Sequence, residues 1–95
     1  MPERIALNET HVITLKRAAR LRFDKARSIH TLLAPERVVV LNETSVMILE
    51  ALDGRPLGQI IDAFAAKFAA PRALIATDVV TMLQDFTDKG YLEAK

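Results

Sequence analysis

The sequence predicts an α+β domain in which a small antiparallel sheet precedes a bundle of three helices. Three observations predict it. Arg20-Leu21-Arg22-Phe23-Asp24 alternates charged and apolar residues, the period of a half-buried strand. Leu32 to Thr44 passes from strand to tight turn to strand to helix cap with no residue left over for a loop. From Asn42 onward, apolar residues recur at three and four and are interrupted by Gly and Pro, as in short helices.

Each element follows in order. Residues 1–17 have mixed polarity and no steady period, so they are expected as an N-terminal arm before a single domain spanning 18–95. Arg20–Asp24 is the first strand, with Leu21 and Phe23 facing inward. Asp24 to Arg27 is a polar turn, and Ile29–Leu33 is the second strand. Pro35 presets φ for a turn that Glu36 and Arg37 keep wet. Val38, Val39 and Val40 are stiff and β-branched, so Arg37–Leu41 is the third strand of a meander.

Asn42 then caps helix one, with Leu41 and Val46 as a staple across the cap. Val46, Ile48, Leu49 and Leu52 make that helix buried, and Asp53-Gly54 is expected to end it. Pro56 starts helix two, whose stripe is Leu57, Ile60, Ile61, Phe64 and Phe68. Pro71 opens helix three, with Ile75, Val79, Met82, Leu83 and Phe86 inward. Gly90 closes that helix, Tyr91 folds back on Phe86, and Leu92-Glu93 adds a short strand. The arrangement is winged-helix-like.

Size and composition narrow the function. The chain has 95 residues, 51% of them hydrophobic, enough for one core. Phe23, Phe64, Phe68, Phe86 and Tyr91 are its only aromatics and are expected to anchor that core. There is no cysteine, so disulfides and thiolate metal sites are excluded. No apolar run approaches the roughly 20 residues of a membrane span, so a cytoplasmic protein without membrane contact is expected. Net charge is +1, but residues 1–40 carry eight Lys or Arg against four Asp or Glu, and residues 41–95 five against eight. The basic half holds the sheet and the acidic half the helices.

No catalytic set emerges. His11 and His30 lack a partner at metal-ligand spacing, and Ser28 and Ser45 lack a nearby base. Asp78, Asp85 and Asp88 read as a solvated helix face, and Gly54, Gly58 and Gly90 form no phosphate cradle. The chain is therefore expected to bind rather than to catalyse, without metal or cofactor.

Two binding functions remain. A winged helix can bind DNA, yet helix three carries Arg72 and Lys89 against three aspartates, the wrong balance for a phosphate-facing helix. Alternatively, an open edge at Arg37–Leu41 can accept an extended peptide as an added strand. Setting Val79 toward the core puts Ala76, Val80, Leu83 and Thr87 on one flank of helix three, a wall for such a groove. Periodicity alone leaves open whether the valine strand is internal.

Leu21-Arg22-Phe23-Asp24, Leu32-Leu33-Ala34-Pro35-Glu36-Arg37, Leu41-Asn42-Glu43-Thr44, Asp53-Gly54 and Asp88-Lys89-Gly90-Tyr91-Leu92, in that order, resemble the PqqD family of pyrroloquinoline quinone (PQQ) biosynthesis. The resemblance covers residues 18–95. It implies a non-catalytic peptide chaperone, a RiPP recognition element that binds the precursor peptide PqqA and presents it to the radical SAM enzyme PqqE. It further implies peptide addition beside the third strand and against the third helix. Carried over by position, Val38, Val39, Val40 and Leu41 supply the ladder, and Ala76, Val80, Leu83, Gln84 and Thr87 line the groove. His30-Thr31 departs from the more apolar second strand expected there. A free valine edge can also pair with its own copy, so a homodimer is an expected alternative.

Overall fold

The computed structural model describes residues 6–95. Eight elements follow in order: β1 (Ile13–Leu15), β2 (Arg20–Asp24), β3 (Ile29–Ala34), β4 (Arg37–Leu41), α1 (Glu43–Glu50), α2 (Leu57–Phe68), α3 (Arg72–Asp88) and β5 (Leu92–Ala94). The predicted meander is present as a sheet of order β2-β3-β4, with Leu21 opposite Leu32 and Leu32 opposite Val39. That row faces the helices, and Leu32 is completely buried. The core runs from it through Leu41, Val46, Ile48 and Leu49 to Leu57, Ile60, Ile61, Val79 and Leu83.

Capping chemistry sets the helix limits. The Asn42 side chain accepts from the Ser45 N–H at 2.7 Å, and Leu41 and Val46 are both buried beside that cap. α1 ends at Glu50, before the expected Asp53-Gly54, and Gly54 takes a φ of 97° in the turn that follows. α3 closes as a Schellman motif. The N–H of Gly90 donates to Thr87 and that of Tyr91 to Phe86, both at 3.0 Å, while the Phe86 and Tyr91 rings meet edge to face at 5.7 Å.

Two expectations change. Phe23 and Phe68 are about half exposed and do not anchor the core. Phe23 lies on the inner sheet face at the β2–β3 end, where it packs on His30 with ring centroids 4.6 Å apart. Residues 1–5 of the expected arm lie outside the described residues, but from Leu7 on that segment is built into the domain. β1 pairs antiparallel with β5, and Ile13 is buried. The N–H groups of Leu57 and Gly58 donate to the carbonyls of His11 and Glu9 at 2.8 and 2.9 Å. The N-terminal segment thus satisfies the first orphan donors of α2, whose N-cap Pro56 offers no side-chain acceptor. A three-residue strand is too short to show its period in sequence.

Candidate functional site

β4 is the edge of its sheet, paired with β3 on one side and with no described strand on the other. Its register determines which backbone groups are offered. Ala34 and Arg37 flank the two-residue Pro35-Glu36 turn and form the closing pair, whose N–H and C=O groups point at each other. Alternation then turns Arg37, Val39 and Leu41 toward β3, and Val38 and Val40 toward the open side. The outward donors and acceptors are therefore those of Val38 and Val40. Their side chains stand on the sheet face away from the helices and are 65% exposed. Val39 packs partly on the core and Leu41 is buried within it. The four predicted strand residues thus divide into two that present backbone and two that hold the strand down.

The helix residues are placed more unevenly. Ala76, Val80, Gln84 and Thr87 are half-buried on α3, as a flank between core and solvent should be. Leu83 is completely buried and belongs to the core. The Thr87 hydroxyl donates to the Leu83 carbonyl of its own helix at 2.7 Å. Gln84 Oε1 accepts from the Leu7 N–H at 2.9 Å, so the N-terminal segment lies against this flank. Ala76 and Val80 are the half-buried apolar residues of this flank.

Sequence reasoning missed a pocket of about 410 Å³ lined by Ala34, Pro35, Glu36 and Arg37 from the β3–β4 turn and by Lys89, Gly90 and Tyr91 from the end of α3. It is where the valine strand begins and α3 stops. Pro35 and Gly90 were legible as turn residues, but nothing in their local sequence says that the two turns meet. A smaller apolar cleft of about 90 Å³ lies between the helices, among Met47, Phe64, Phe68, Ile75 and Val79.

Electrostatics bear on the N-terminal segment more than on β4. Arg72 donates to Glu9, Asp62 and the Gly58 carbonyl. Its hydrogen bond to Glu9 holds the Glu9 carboxyl below its ordinary range, and both carboxylates push the Arg72 pKa upward. Among the described residues no group of three or more His, Cys, Asp or Glu could hold a metal ion.

The family model of coenzyme PQQ synthesis protein D matches residues 30–92. The chain belongs to the PqqD family. A relative from Rhodopseudomonas palustris strain TIE-1, named PqqA binding protein, is 50% identical over 92 residues, covering 96% of this chain and 90% of the relative. A bifunctional coenzyme PQQ synthesis protein C/D from Methylorubrum extorquens is 38% identical over 92 residues, which cover 96% of this chain and 25% of that protein. Among solved structures, the solution structure of the PqqD truncation of Methylobacterium extorquens PqqCD, described as a stand-alone RiPP recognition element, superposes with a TM-score of 0.72. It is 40% identical, with 86% of this chain and 88% of that one covered. PqqD from Xanthomonas campestris gives a TM-score of 0.53 at 38% identity, covering 80% and 86%. The α+β architecture read from sequence is that of these PqqD structures. Among the described residues no helix is long and apolar enough to cross a membrane.

Proposed function

We propose that this chain is a non-catalytic PqqA-binding protein of PQQ biosynthesis that holds the peptide extended along β4 and presents it to the radical SAM enzyme PqqE. The open side of β4, with two valines turning their backbone outward, carries the reading. Relatives at 50% identity that are named for PqqA binding support it.

The energetics say what else the site must supply. Val38 and Val40 offer two N–H and two C=O groups, and each ladder bond is worth about 0.5–1.5 kcal/mol net. Four such bonds give about 2–6 kcal/mol, whereas micromolar affinity needs about 8 and an extended peptide loses entropy on ordering. Apolar contacts must make up the difference. The half-buried Ala76 and Val80 on α3 are the proposed wall, and the pocket between the β3–β4 turn and Lys89–Tyr91 is the proposed end of the groove. The ladder then determines register and direction, and the side chains determine affinity.

An amide NMR titration with synthetic PqqA, run beside duplex DNA at moderate salt, tests this. The expected result is peptide-induced shifts along β4 and α3 and none with DNA. Shifts confined to β2, or a response to DNA, would sink the reading.

A further inference from the structure

The face of the β2-β3-β4 sheet turned away from the helices carries residues that peptide capture at the edge does not use. Its cross-strand rows are Arg20, Leu33 and Val38, then Arg22, Thr31 and Val40, then Asp24 and Ile29. All of these except Arg20 line a shallow depression of about 200 Å³, to which Arg27 also contributes. Its aliphatic centre contains the two most exposed valines of the molecule. Arg22 and Arg27 line the depression against a single carboxylate, Asp24, which already accepts from the N–H groups of Ala26 and Arg27 within the turn, and Arg20 and Lys25 are exposed on the same hairpin. An apolar centre inside a charged rim is the anatomy of a protein interface.

The same residues decide among occupants. A second copy meeting this face symmetrically would set the arginine rim against itself, and like charges across an interface are costly. Single-stranded nucleic acid needs aromatic platforms for its bases, and Phe23 and His30 lie on the opposite face. An acidic protein surface with an aliphatic centre complements both the rim and the valines.

We propose that this face docks such a surface on the enzyme that receives the peptide, an assignment that rests on β4 being the peptide edge. Val38 and Val40 would then act in two directions. Their backbone holds the peptide sideways in the sheet plane while their side chains meet the partner above it. The distance between captured peptide and enzyme is set by two residues rather than by a flexible linker.

Two double variants test the assignment, Arg22→Glu with Arg27→Glu and Val38→Thr with Val40→Thr. Threonine keeps the β-branched shape and the backbone ladder, and circular dichroism checks folding of both. Binding is measured by calorimetry to synthetic PqqA and to purified PqqE, at low salt and at about 0.5 M salt. The expected outcome is at least a tenfold loss of PqqE affinity in each variant, with loss of the salt dependence and PqqA affinity within about twofold of wild type in the charge reversal, whose residues lie off β4. Unchanged PqqE affinity in both variants overturns the docking face while PqqA binding by the wild type leaves the edge standing. Wild-type binding of duplex DNA that the charge reversal abolishes also overturns it, because the rim would then serve phosphates.

Discussion

The two borders of one sheet are built oppositely. β2 and β4 both flank β3, and both leave one line of backbone groups without a described strand. On β2 the residues are Arg20, Leu21, Arg22, Phe23 and Asp24; on β4 they are Arg37, three valines and Leu41. Charged side chains on an exposed border discourage a foreign strand, because pairing would bring them into a crowded, poorly solvated row. Valine does the reverse, since it favours extended backbone and has nothing to desolvate. This difference between the borders is what the proposed addition of a peptide strand at β4 rests on. β5 shows the same chemistry satisfied internally, because β1 has already been added beside it.

The largest effect should come from removing an outward donor on β4. Val40→Pro places proline where its missing N–H costs the parent sheet nothing, so the fold survives. The peptide loses one hydrogen bond and meets the ring, and its affinity for PqqA should fall at least tenfold by calorimetry. On β2 the alternation turns Leu21 and Phe23 outward, so Phe23→Pro should leave PqqA affinity within about twofold. Equal losses in the two variants would erase the distinction between the borders. Val39→Pro is a different experiment. That N–H faces β3, so its loss should lower the melting temperature before it says anything about peptide.

Val80→Asp comes next. A charge beside the groove must stay hydrated as the peptide arrives, so a several-fold loss of PqqA affinity is expected, together with a lower melting temperature because Val80 also packs against the core. Wild-type affinity would remove this flank of α3 from the site and leave the ladder and the pocket at Arg37 and Lys89 to hold the peptide.

Legibility in sequence followed the range of the interactions. β2, β3, β4 and the Asn42 cap were readable because each is decided within a few residues: alternation, a Pro turn, a β-branched run, an Asx side chain. The Schellman end at Gly90 was readable for the same reason. β1 was not, because a three-residue strand acquires its identity from β5, about 80 residues away. The half-exposed position of Phe23 was hidden too, since alternation identifies a face but not how far the helices extend beneath it. The site divided likewise. The valine strand could be named from propensity, but only the register of Ala34 with Arg37 shows that Val38 and Val40, rather than Val39, present the backbone. Gln84 was implied only by the family resemblance, and only the fold brings Leu7 onto it.

The smallest expected effect probes the border that the chain closes for itself. A Cβ on Gly58 would sit 3.0 Å from Glu9 Oε1 and 3.3 Å from the Glu9 carbonyl, so in Gly58→Ala the Glu9 segment must give by a few tenths of an ångström. Weakening that cap-like hydrogen bond costs up to about 1 kcal/mol, and the helix preference of alanine over glycine within α2 offsets roughly half of it, so a fall of about 2–4 °C in melting temperature is expected. Glu9→Gln should do less, because its partner Arg72 is exposed and keeps Asp62. The sign of its pH dependence is set by the lowered Glu9 pKa. A carboxylate depressed in the folded state stabilises above its ordinary pKa, and that contribution disappears as pH falls through the lowered value. Wild type should therefore lose a small stability margin over Glu9→Gln on acidification, with PqqA affinity at neutral pH the same in both. A Glu9→Gln variant that bound PqqA more tightly would show that the N-terminal segment competes for α3, making the closed border and the open one parts of a single equilibrium.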